Sequence, residues 1–186
     1  MKIQFVYPVC HRERADTLRA FLLRANPFVY ISTRVGLVGL KHVLIVHRPL
    51  KYAAEFQPPN SIYIDFRQPA DYSALSVAHE YVHLLLRHHR WGSRLGMPRI
   101  IQRYARSKDK YHYTKEGAVE QVLAILLQLS YEDQFKLRKF NSTRAQELMK
   151  IMGVWPMGQP FLRRWPSFLK SRGGLLLWLR KSFSGS

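Results

Sequence analysis

A single cysteine, Cys10, is all that this chain offers to thiol chemistry, so no internal disulfide can form. Nothing in the thiol content indicates an oxidising compartment, and a reducing cytosol is the expectation. Long apolar runs are missing too. The longest, Val122 to Leu127 and Leu175 to Leu179, fall far short of the roughly 18 to 20 residues that a membrane-spanning helix requires. The first twenty residues, MKIQFVYPVCHRERADTLRA, lack an apolar core followed by small cleavage residues, and no export is expected. Acidic residues are scarce, 12 against 30 Lys and Arg, which leaves a formal charge of +18 on 186 residues, with the excess towards the C-terminus. Such a charge favours contact with an anionic partner, whether nucleic acid, acidic protein or lipid headgroups, without naming one. What is present is a hydrophobic content of 47%, which fits a folded domain with a real core.

Along the chain, KIQFVYPV alternates and is rich in branched and aromatic residues, which predicts a strand, and RERADTLRAFLLRAN carries apolar residues at helical spacing up to a stop at Asn26-Pro27. FVYISTRVGLV and KHVLIVHRP read as two further strands, AEFQPPN as a loop by its prolines, and SIYIDF as another strand. The first seventy residues thus predict a small mixed sheet with one helix. From Asp71 the period changes. Leu75, Ala78, Val82, Leu85 and Leu86 recur at three- and four-residue steps, predicting a helix capped near Asp71 or Ser73 that ends near Arg90 or Gly92. A second long helix is expected from a Thr114 cap through KEGAVEQVLAILLQLSYEDQF, and a third over STRAQELMKIMG.

His79-Glu80-Tyr81-Val82-His83 is HExxH. On a helix turning about 100° and rising about 1.5 Å per residue, the two imidazoles lie roughly 40° apart and one turn along, so both reach a single ion. Glu80 falls beside them, placed to handle a proton on bound water without being a ligand. Neutral imidazole suits zinc, and two histidines with one further donor leave the fourth position for water. The pattern arises by chance in roughly 1% of chains of this composition, which sets it above a structural helix that merely carries surface histidines.

A third ligand is needed. His89 stands six residues after His83, at the last position of HExxHxxGxxH, but Leu86 replaces the glycine that lets the chain leave the helix. On a continuing helix His89 lies about 120° away from His83 and cannot share its ion, so His88, His89 and Arg90 read as a solvated basic helix end. The stronger candidates are Glu116 and Glu120, one turn apart on the next long helix and the only acidic residues between Thr114 and Ser130. Ala118, Val119, Val122 and Leu123 around them suggest a buried edge, where a carboxylate needs a cation. Either can ligate while the other orients a ligating histidine through its second nitrogen. His11, His42 and His47 read as strand or helix-end residues.

SVAHEYVHLLLRHH followed by EGAVEQVLAILLQ resembles the gluzincin class of zinc metallopeptidases, in which HExxH on one helix is completed by a glutamate on a following helix, often as ExxxD. Within that class it is similar to the small intracellular peptidases of the ImmA/IrrE group, where a strand precedes an AHELGHLLLH-like helix. The resemblance covers roughly Ser61 to Leu129, with SIYIDF in the place of that strand; Tyr81-Val82 replaces the usual Leu-Gly, and Glu120 stands where an Asp is usual. It implies an α+β, zincin-like domain over residues 1–153, a small mixed β-sheet packed on the HExxH helix and a following glutamate helix, with 154–186 as a basic, partly irregular C-terminal extension. It also implies Zn2+ on His79, His83 and, by family pattern, Glu116, with Glu120 as outer support for His79. Glu80 is the implied general base for metal-activated water, and Tyr111, His112 and Tyr113 are the nearest candidates to steady the tetrahedral intermediate. The implied activity is cytoplasmic hydrolysis of peptide bonds in a protein substrate, with the peptide adding to an exposed sheet edge at SIYIDF.

Two rival readings come from the charge. Arg87 to Lys115 and Arg163 to Lys181 mix Arg and Lys with aromatic residues, a composition that can grip phosphates and stack on bases. A basic nucleic-acid-binding protein, its metal site structural or absent, is the alternative to a peptidase. Leu175 to Phe183 could also serve as an amphipathic anchor on a membrane surface.

Overall fold

The computed structural model describes residues 1–35, 37–89 and 115–137, with the side chains of 115–119, 122, 123, 126 and 133 outside that description. The chain builds an α+β fold, a four-stranded mixed sheet with helices packed on it. In His42–Arg48 (β2) the period-two pattern turns Val43, Ile45 and His47 into the core while Leu44, Val46 and Arg48 are partly covered on the other face. β2 pairs in parallel with Lys2–Val6 (β1) on one side and with Ser61–Asp65 (β4) on the other, and Ala54–Gln57 (β3) closes the sheet antiparallel to β4. The order is β1-β2-β4-β3.

Two expectations fail here, each for a local reason. FVYISTRVGLV is not a strand: Pro27–Val35 is a helix (α2) that follows Arg12–Arg24 (α1). The Asn26-Pro27 pair that stops α1 also starts α2, because the Asn26 side-chain oxygen accepts from the Val29 N–H at 3.0 Å and Pro27 sits in the first helical turn, where a missing N–H costs nothing. Phe28, Ile31 and Val35 then bury at helical spacing. AEFQPPN is not all loop. Its prolines occupy the turn, joined by a cis Pro58-Pro59 bond, and leave Ala54–Gln57 free to pair with β4. SIYIDF is therefore an inner strand, and among the described residues β3 is the sheet edge on that side.

Ala70–His88 (α3) packs against β3, β4, α1, α2 and Lys115–Phe135 (α4). It starts one residue before the expected Asp71, with Pro69 as N-cap, and ends at His88, short of Arg90. α4 has the expected bounds. Its end is a Schellman turn: Lys136 takes a left-handed φ of 50°, and the Leu137 N–H donates to the Glu132 carbonyl at 3.0 Å. One core runs from Leu18 and Leu22 through Ile45, Ile62 and Ile64 to Leu85, Ile125 and Tyr131. Among the described residues no helix is long and apolar enough to cross a membrane. The helix expected over STRAQELMKIMG, the extension 154–186, the anchor candidate Leu175 to Phe183 and the basic segments beyond His89, apart from Lys115, lie outside the described residues.

Candidate metal centre

The apolar stripe of α3 carries the HExxH motif into the core: Ala78, Tyr81, Val82, Leu85 and Leu86 are fully buried, and His79 and His83 go with them at 6% exposure each. One helical turn apart, their rings stand 5.2 Å between centroids and are inclined by 63°. Glu80, between them in sequence, is half-buried.

Tyr81 and Val82, inside the motif, both pack into the core. The Tyr81 hydroxyl accepts from the Leu40 N–H at 3.3 Å and shares a hydrogen bond with the Ser32 hydroxyl at 3.1 Å, tying α3 to α2 and to the segment before β2. Desolvation raises its pKa, against the pull of those two hydrogen bonds. Gly39 passes close by; a Cβ there would lie 3.0 Å from both the Ser32 and Tyr81 oxygens. Val82 is simply core.

α4 runs antiparallel to α3 and supplies the polar atoms that face the histidines. His79 Nδ1 lies 3.0 Å from Gln128 Oε1, and His83 Nδ1 lies 3.4 Å from Glu120 Oε2. An amide or carboxylate oxygen can only accept, so each contact is a hydrogen bond in the tautomer that carries its proton on Nδ1. Glu120 was expected behind His79. The antiparallel packing sets it opposite His83 instead, and Gln128, two turns further along α4, stands behind His79. Glu120 is 6% exposed, and its Oε2 also accepts from Arg87 Nε at 3.2 Å. Burial works against its ionisation, but the His83 hydrogen bond and the Arg87 charge outweigh it and hold its carboxyl below the usual carboxylate value. Phe56 of β3 lies parallel to the His83 ring, 5.1 Å between centroids, and the Arg87 guanidinium sits 4.6 Å from the centre of the same Phe56 ring.

The end of α3 settles the position of His89. Its Nε2 donates to the Val38 carbonyl at 2.7 Å, away from the pair. A cavity of about 370 Å³ opens elsewhere, near the N-terminal turn of α3 between Glu13, Arg14 and Arg67, and none of the motif residues lines it.

Among the described residues no three His, Cys, Asp or Glu side chains form a group that could hold a metal ion. Glu116 belongs to the first turn of α4, one turn before Glu120, and its side chain lies outside the described residues, as do Tyr111, His112 and Tyr113. The described part of the seam holds two buried imidazoles, each with an oxygen at Nδ1, and the Glu120 carboxylate beside His83; imidazole and carboxylate are the donor types that zinc takes. Sequence reasoning missed Gln128, Arg87 and Phe56. Gln128 left one trace, a polar side chain closing the apolar run Val122 to Leu127. Protein-family models, curated proteins and solved structures contain no match to this chain.

Proposed function

We propose that the chain is a zinc-dependent metallopeptidase of zincin-like fold that hydrolyses peptide bonds of a protein substrate in the cytoplasm. The observation that carries the reading is the seam between α3 and α4, where both HExxH imidazoles are buried and each is backed at Nδ1 by an oxygen from one neighbouring helix. Backing of this kind sets ring orientation and basicity in metal-binding histidines. Further support comes from β3, an antiparallel edge strand beside α3, to which an extended peptide can add.

His79, His83 and Glu116 would hold the ion. When bound, zinc supplies a Lewis acid and a water acidic enough to lose a proton at about pH 7. Glu80 takes that proton on its carboxylate and passes it to the departing amine. Glu120, held below the usual carboxylate pKa by the His83 hydrogen bond and the Arg87 charge, steadies the ring of His83. His112 and Tyr113, in the stretch leading into α4, donate to the substrate oxygen as negative charge develops there.

The test is metal analysis beside a peptide-cleavage assay. Purified wild type should carry stoichiometric zinc, His83→Ala should lose it, and Glu80→Gln should keep zinc while cleavage falls by about 10²–10⁴-fold. Equal zinc in wild type and His83→Ala would end this reading. A second reading, a nucleic-acid-binding protein whose metal site is structural or absent, is favoured by the charge of +18. It predicts salt-dependent DNA or RNA binding that Glu80→Gln leaves unchanged.

A further inference from the structure

We infer that Gln128 is the positioning residue of His79: its amide oxygen keeps the imidazole proton on Nδ1 and so leaves the lone pair on Nε2, the nitrogen available to an ion. The inference rests on the zinc reading above for its purpose, but on the seam alone for its geometry.

A neutral imidazole exists as two tautomers, and only a ring nitrogen without a proton can ligate. In water the choice is weakly determined. In the seam an acceptor faces Nδ1. Gln128 Oε1 lies 3.0 Å away, and both residues are 6% exposed, so water does not compete freely for the contact. A buried neutral hydrogen bond of this kind shifts a two-state equilibrium by about fivefold.

The two histidines are supported differently, and the difference gives Gln128 its particular role. His83 is backed by a carboxylate that also accepts from Arg87. A second carboxylate at 128 would bring another charge into the buried seam. The amide sets the direction of the proton without adding charge. A Gln that merely filled a polar gap would matter to stability and not to the tautomer, which is what separates the two roles.

The test uses the full-length chain, ¹⁵N-labelled and metal-free, with His79 assigned by comparison with His79→Asn. Long-range ¹H–¹⁵N spectra should show the His79 proton on Nδ1 in the wild type. In Gln128→Met the Nε2-protonated form should gain about fivefold, and zinc affinity by chelator competition should fall 10–100-fold. A wild-type His79 protonated on Nε2, or a folded Gln128→Met with an unchanged tautomer, would overturn the assignment. Should the tautomer respond as expected while the wild type binds no zinc, the positioning stands and the peptidase reading falls.

Discussion

Three histidines are buried among the described residues, and they occupy two unlike surroundings. His79 and His83 face α4 and find an oxygen each at Nδ1. His47, 4% exposed on the inner face of β2, lies beside the rings of Phe5 and Tyr7, and neither of its nitrogens has a hydrogen-bond partner. Burial, and after it the neighbouring charge of His11, hold the pKa of His47 below its usual 6.5. Desolvation alone makes a histidine neutral and costs stability whenever the ring must be protonated. An aligned oxygen makes a buried histidine directional. The first kind is set by packing alone, the second by packing and a hydrogen bond.

The comparison breaks most visibly with metal. Zinc at about a thousandfold its Kd should stabilise the wild type by about 4 kcal/mol in thermal unfolding against a chelator control. His47→Leu should leave that gain intact and His83→Ala should remove it; a gain lost in His47→Leu would erase the distinction between the two surroundings. Next in size is Arg87→Met, which removes the Arg87 hydrogen bond and charge from the Glu120 carboxylate and, because Arg87 is half-exposed, should destabilise by about 1 kcal/mol at about pH 7. The sign of its pH dependence follows from the depressed pKa of Glu120. The pair contributes above the ordinary value of 4.5 and is lost as pH falls through the lower folded value, so urea unfolding of variant and wild type should converge in acid. Tyr81→Phe leaves the Leu40 N–H without its acceptor and should cost about 1 kcal/mol in urea unfolding, with zinc content unchanged because the hydroxyl faces α2 and not the seam.

The smallest effect is a slope. The unfolded chain protonates position 47 more readily than the folded one. The wild type therefore keeps the full contribution of neutral His47 above pH 6.5 and loses it as pH falls from there towards the folded value. His47→Leu should flatten that part of the stability curve. An unchanged slope would mean that another group carries it.

Much of this architecture was legible in short-range pattern. The apolar spacing of α1, α3 and α4 and the alternation of β2 survive because each element presents one continuous apolar face, and period alone reveals such a face. α2 was misread because Phe28, Val29, Tyr30 and Ile31 have high strand propensity, while the decision lay with a cap at Asn26. β3 was misread because two prolines were allowed to speak for four residues ahead of them. Of the seam, His79, His83 and Glu120 could be named from spacing. Their partners could not, since a residue 49 positions away in the chain meets His79 only through the packing of two helices.

By itself, then, the sequence determined that α3 would be a helix with two imidazoles on one stripe, because one-turn spacing within a helix is a local property. Helical period likewise determined that α4 would present a carboxylate to a neighbour. Only the tertiary structure decided which histidine Glu120 would meet, that Gln128 would stand behind the other, and that β3 would form the sheet edge beside them. Those outcomes depend on the direction and register in which separate elements pack, and no residue's own propensity encodes either.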